Sequence, residues 1–158
     1  MVSRRPARGA RGFTLPEILA VMAILAVLAA VAAPSFTQLI GTMRARSISS
    51  ELYVSLARAR SEAIKRNAEV TLAPQTDAAW QAGWHIVDPQ DPSRRLDVHG
   101  ALVGATVSGP ANVVFLPNGR VKGADLPSFD IAVSAAGRRR CITVDLGGRP
   151  NQTAAACS

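Results

Sequence analysis

Aromatic residues are scarce in this 158-residue chain: four phenylalanines, two tryptophans and one tyrosine. A core must therefore be drawn chiefly from Val, Leu, Ile and Ala. Histidine occurs twice, as His85 and His99, and cysteine twice, as Cys141 and Cys157. Fifteen residues separate the cysteines, and both histidines are distant from them in sequence. Metal sites need closer pairs or accompanying histidines, so no metal centre is expected. His85, in an alternating stretch beside Trp84, and His99, read as lying in a loop, are taken as structural or solvent-exposed. A phosphate-cradling glycine motif, a nucleophile–base pair, internal repeats and low-complexity tracts are all missing. These gaps leave no case for an enzyme or a cofactor. Charge is also missing from one long segment. No Lys, Arg or His lies between Gly12 and Met43, and Ile18 to Ala33 carries no charged or polar side chain.

One carboxylate interrupts that segment. Glu17 stands at the start of what otherwise reads as a membrane helix, with Phe13 and Leu15 extending the apolar character before it. Burying an ionised carboxylate in hydrocarbon costs roughly 2.5–3.5 kcal/mol on insertion scales, which marks it as a functional residue by default. Its partner must be local backbone, a terminal amine or another subunit. Thr14-x-x-Glu17 also fits a capping box, with Glu17 reaching back to the backbone N–H of Thr14, and the two roles are compatible.

The formal charge of +7 is unevenly distributed. Arg4, Arg5, Arg8 and Arg11 are the only charges before Gly12, which leaves 14 basic residues against 11 acidic ones. Phe13 to Ala132 is neutral, with ten of each sign. The remaining excess comes from Arg138, Arg139, Arg140 and Arg149, which face only Asp145. Positives ahead of an apolar run hold the N-terminus in the cytoplasm and send the rest across the membrane.

The arginine leader, Gly12, Phe13, Glu17 and the apolar run resemble the class III signal of the type IV pilin superfamily. The resemblance implies cleavage after Gly12 by a prepilin peptidase and methylation of the new N-terminus at Phe13. It also implies an assembly role for Glu17, which would neutralise the terminal amine of a neighbouring subunit in the filament. Pro34 matches the family's habit of a proline about six turns into this helix, whereas Pro16 beside Glu17 is less usual, though tolerated in a first helical turn. An ordinary secretory signal cut near Ala32 or Ala33 is the alternative, since Ala30-Val31-Ala32 resembles such a site. Against it, Glu17 would fall in the apolar region, and the run exceeds the usual length.

Downstream, Ala45, Ile48, Leu52, Leu56, Ala59 and Ala63 recur at three- and four-residue steps, the stripe of an amphipathic helix. Arg58–Glu62 and Glu62–Arg66 are i,i+4 pairs suited to a solvated face. One helix is therefore expected from about Thr14 to Asn67, with Pro34 and Gly41 as bends. At roughly 80 Å it is too long for a domain of about a hundred residues, so its first half should project. After Asn67 the period changes to two. Val70–Leu72, Gly83–Val87, Asn112–Leu116, Phe129–Val133 and Cys141–Leu146 read as strands, with a turn at Pro117-Asn118-Gly119. Asp88 to Arg95 reads as a surface loop. The fold class is α+β, with an antiparallel sheet packed on the amphipathic half of the helix. The expected domains are 1–12 leader, 13–41 transmembrane or filament-core helix and 42–158 periplasmic globular domain.

Phe115-Leu-Pro-Asn-Gly-Arg120 and Val133-Ser-Ala-Ala-Gly-Arg138 are similar to two segments of the GspH/FimT branch of the superfamily. In a periplasmic domain, Cys141 and Cys157 read naturally as a disulfide tying the tail to the last strand; many type IV pilins carry one there. Two free thiols in a cytosolic protein are the alternative. Gly137-Arg138-Arg139-Arg140 fits the Gly-Arg-x-Arg pattern of DNA-binding FimT-like minor pilins. Alternation would place Arg138 and Arg140 on one side and Arg139 on the other, with Arg149 as a further contact. No aromatic follows Phe129, so contact would be to backbone phosphates rather than stacked bases. A basic turn that keeps a sheet edge soluble is the plainer alternative.

The resemblance thus implies a minor pilin of a type IV pilus that aids assembly and contacts DNA during natural transformation. Its partners would be other pilin subunits, the inner membrane, the prepilin peptidase and DNA without sequence preference. The rivals are a GspH-like minor pseudopilin of a type II secretion system and a periplasmic domain on a plain signal-anchor.

Overall fold

The computed structural model describes residues 13–77, 79–134 and 137–157. The arginine leader and Gly12 lie outside the described residues, as do Ala135 and Ala136 of the Val133–Arg138 segment. The described elements are one helix, α1 (Leu15–Arg66), and the strands β1 (Val70–Pro74), β2 (Trp84–Val87), β3 (Arg95–His99), β4 (Thr106–Ser108), β5 (Val113–Phe115), β6 (Ser128–Val133), β7 (Arg138–Val144) and β8 (Pro150–Thr153). A single 3-10 turn occupies Trp80–Ala82. Pro34 and Gly41, read above as bends, both lie within the continuous α1. The chain divides into two compact units, Met1–Phe36 and Thr37–Ser158.

In the first unit α1 is apolar on every side. Its richest window has a mean hydropathy of 2.5 with no share buried, so by length and composition it can cross a membrane. Leu15, Leu19, Met22, Ile24 and Leu28 are all exposed.

In the second unit the stripe anticipated from periodicity is buried: Ala45, Ile48, Leu52, Leu56, Ala59 and Ala63 all enter the core. Burying Leu52 and Leu56, both fully enclosed, contributes about 1.5–3 kcal/mol each. The helix stops at Asn67, which takes a left-handed φ of 50°. The Ala68 N–H reaches the Ala63 carbonyl at 3.2 Å and the Asn67 N–H reaches Ile64 at 3.3 Å, the paired closure of a Schellman motif. Lys65 and Arg66 in the last turn complement the helix dipole.

The strands form two four-stranded antiparallel sheets rather than one, in the orders β3-β2-β1-β5 and β4-β6-β7-β8. The chain crosses to the second sheet for β4, returns to the first for β5 and crosses again through the connection after β5. Pro117, Gly119, Gly123 and Pro127 interrupt that connection, and Gly119 turns the chain with a φ of 78°. The Gly119 N–H bonds the Leu116 carbonyl at 2.8 Å, so the expected turn is present.

The core departs from composition in one respect. Aromatics are few, yet Trp80, Trp84, Phe115 and Phe129 are its largest fully buried side chains. Trp80 and Phe129 meet edge-to-face with ring centroids 4.8 Å apart. Both indoles are satisfied: Trp80 Nε1 donates to the Pro110 carbonyl at 2.7 Å and Trp84 Nε1 to Ser55 Oγ at 2.8 Å.

Candidate functional site

The first turn of α1 carries Glu17. The N–H groups of Glu17 and Ile18 bond the Thr14 carbonyl at 3.1 and 3.2 Å. The Glu17 carboxylate reaches back to the Thr14 N–H at 3.4 Å, the return half of a capping box at long range. That contact takes up one lone pair and leaves the rest of the carboxylate exposed among apolar side chains. Phe13, directly before the helix, is 77% exposed.

Pairing between β6 and β7 positions the tail arginines. The register sets Val133 opposite Arg138, Ala132 opposite Arg139, Ile131 opposite Arg140 and Asp130 opposite Cys141. Facing residues of an antiparallel pair share a side. Arg138 and Arg140 therefore extend the inner face, the side of Ile131 and Val133, while Arg139 stands on the outer face with Asp130. There the Arg139 guanidinium pairs with the Asp130 carboxylate through two contacts, Nε to Oδ1 at 3.3 Å and Nη2 to Oδ2. Arg138 and Arg140 form no ion pair with a described acid. The Arg140 Nε–H is enclosed and meets no acceptor among the described residues.

Arg149 does not join them. It follows the turn after β7, its N–H held by Asp145 Oδ1 at 2.8 Å, roughly 20 Å from Arg138 by strand rise. Arg120 and Lys122 lie toward that far end as well. The Val121 N–H meets the Leu146 carbonyl at 3.3 Å, and Lys122 Nζ is held by both oxygens of Glu69 at 2.8 and 3.0 Å. The single tail patch thus divides, with Arg138 and Arg140 at one end of β7 and Arg149 at the other.

Cys141 and Cys157 form a disulfide with Cα atoms 4.9 Å apart. Cys157 Sγ lies 3.3 Å from the Phe129 carbonyl oxygen, so the tail returns as far as β6.

Several partnerships had no sequence signal. His99 ends β3 rather than lying in a loop; its ring stacks on Trp84 with centroids 4.0 Å apart, and Nε2 sits 3.0 Å from Glu51 Oε2. Arg58, spaced to pair with Glu62, instead meets Asp97 at 3.0 Å, while the Glu62–Arg66 pair forms at 2.7 Å. Long-range partners of this kind are set by sheet topology and leave no trace in local spacing. His85 points away from the core on β2, with Nδ1 enclosed and unpartnered among the described residues. Burial, and then the positive charge of Arg95, push its pKa below the ordinary value. Among the described residues, no three His, Cys, Asp or Glu side chains converge as a metal site.

Comparison with known proteins agrees with this architecture. The profile of the GspH family, described as type II transport protein GspH, matches residues 49–148. The prokaryotic N-terminal methylation motif matches residues 7–33. No curated protein sequence matches the chain. Among solved structures, the type IV minor pilin FimU of Pseudomonas aeruginosa superposes with a TM-score of 0.60 at 22% identity, over 68% of this chain and 91% of FimU. A second crystal form of FimU gives 0.61 at 21% identity, over 69% and 87%. The minor pseudopilin EpsH of the Vibrio cholerae type 2 secretion system gives 0.56 at 11% identity, over 70% and 97%. At these identities the structural likeness speaks for the fold. The family match covers more than half of the sequence: the chain belongs to the GspH family of the type IV pilin superfamily.

Proposed function

We propose that the chain is a minor pilin, cut after Gly12, methylated on Phe13, and held in the inner membrane by the first half of α1 with residues 42–158 in the periplasm. From there it enters a type IV pilus alongside other pilin subunits. The observation that carries this reading is the apolar helix with its first-turn carboxylate. A surface apolar on all sides needs either lipid or neighbouring helices, and the exposed oxygens of Glu17 need a cation that this segment does not supply. An adjacent subunit meets both needs, the first with its own apolar helix and the second with its methylated amine. Expression of Glu17→Gln in a pilus-forming host tests it. The variant should be processed, with an intact mass beginning at N-methylated Phe13, and should reach the membrane fraction. Its amount in sheared filaments should fall at least tenfold. Normal incorporation would reduce Glu17 to a helix cap, and absence of the parent chain from filaments would favour a plain signal-anchor.

DNA contact is the finer reading, and the free state of Arg138 and Arg140 supports it. Two guanidiniums on one face, with no carboxylate partner among the described residues, can take phosphate oxygens of neighbouring nucleotides without first breaking an ion pair. The outer-face Arg139 would have to leave Asp130, and Arg149 is too far to share the site. Duplex binding should therefore be weak and insensitive to sequence. An Arg138→Ala/Arg140→Ala variant should lose it, with a log–log salt slope of about −2 to −3 in the parent chain. A parent chain that binds no DNA at low salt would leave the minor pseudopilin of a secretion system as the better reading.

A further inference from the structure

We infer that Arg46, on helix α1, completes a three-guanidinium face with Arg138 and Arg140, and that this composite face is what receives the phosphate backbone of duplex DNA. The inference rests on the DNA reading above and extends it to a residue outside the tail.

Two fixed points align the helix with β7. Ser49 Oγ lies 2.8 Å from Gln152 Oε1, and Gln152 is the β8 partner of Ile142. Further along, Arg60 Nε bonds the Gly119 carbonyl at 2.9 Å, and a Cβ on Gly148 would meet Arg60 Nε at 3.1 Å. The turn after β7 therefore lies beside Arg60, and Ile142 lies level with Ser49. Moving back from these points, helix and strand advance toward the same end of the unit. Arg46 is three residues before Ser49, about 4.5 Å along the helix and on the same side of it. Arg140 is two residues before Ile142, about 7 Å along the strand and on the same face. Arg46 is exposed, as is Arg138, and Arg140 is half-buried.

Among the described residues, charge at this end has one sign. Residues 37–50, 131–144 and 151–158 contain no acidic residue. The nearest carboxylates are committed elsewhere: Asp130 to Arg139 on the outer face, and Glu51 to His99 and Ser47 on the opposite flank of the helix. Like charges gathered without counter-charges repel one another, and an extended anion whose oxygens accept from the exposed guanidinium N–H groups removes that repulsion. A duplex backbone offers a row of such acceptors.

The test uses the full chain in neutral-detergent micelles and fluorescence anisotropy of a labelled duplex across a salt series. Arg46→Ala should weaken binding roughly fivefold at the lowest salt and flatten the log–log slope by about 0.9. Arg44→Ala removes the same charge two residues away, where Arg44 lies against Gly104 on the other flank; it should leave affinity and slope within about twofold of the parent. If Arg46→Ala behaves like Arg44→Ala while Arg138→Ala/Arg140→Ala abolishes binding, the helix contribution is overturned and the tail reading stands. No binding by the parent chain removes both. Retention on phosphatidylglycerol vesicles that depends on the three arginines, without retention of DNA, overturns the inference by reassigning the face to a membrane surface.

Discussion

His85 illustrates how a single side chain on a half-buried sheet face ties stability to pH. Trp84 and Ile86 point into the core and His85 points away, yet its Nδ1 is enclosed. Charging the ring in that setting, beside Arg95, is unfavourable, so the folded state holds the imidazole neutral to lower pH than the unfolded chain does. The unfolded chain takes up its proton near the ordinary value of about 6.5. Stability from this residue is therefore complete above that value and is lost as pH falls through the lower folded-state pKa. His85→Leu removes the titration and keeps an apolar side chain at the position. Its thermal midpoint should fall less than that of the parent between about pH 7.5 and about pH 5. Equal losses in the two proteins would show that His85 does not couple folding to protonation.

The elements show which features of the fold a sequence can display. The second half of α1 was legible because its buried stripe is regular: Ala45, Ile48, Leu52, Leu56, Ala59 and Ala63 obey one period and all enter the core. β1, β2, β5, β6 and the second half of β7 were legible from their apolar, mostly β-branched residues. β3, β4 and β8 were not. All three are sheet edges, paired on one side only and partly open to water, so Arg-Leu-Asp-Val-His and Pro-Asn-Gln-Thr need no apolar alternation. The candidate site divides along the same line. The alternation of Arg138, Arg139 and Arg140 follows from strand geometry, whereas the Asp130 partner of Arg139 and the removal of Arg149 to the far turn depend on cross-strand register. The disulfide acts on this same edge, since it closes a loop through the end of β7, the turn and β8. Its separation of 16 residues corresponds to about 3 kcal/mol on the chain-entropy model. Cys141→Ser/Cys157→Ser should lower the thermal midpoint by roughly 10–20 °C, and hydrogen exchange should localise the added opening to β8. An unchanged midpoint would mean that the strand pairing alone holds the tail.

At the scale of the whole molecule, the two units draw on different forces. In the first, the apolar window of the helix has nothing buried and is long and apolar enough to cross a membrane. The second has a core in which every described member lies at or beyond Ala45. It also has its own capped helix end and a disulfide. Stability of the second unit should therefore be independent of the first. Deleting residues 1–36 leaves fourteen basic and ten acidic residues, with Leu39, Ile40 and Met43 the main apolar side chains exposed near the new terminus. That fragment should be soluble without detergent and should unfold in one cooperative transition, with a midpoint within about 2 °C of the full chain in micelles. A lower midpoint, or a non-cooperative melt, would mean that the first 36 residues support the core. The comparison also separates folding from assembly for Glu17. If the fragment melts like the full chain, a defect of Glu17→Gln in filaments cannot arise from a weakened domain, and must lie in how the helix meets its neighbours.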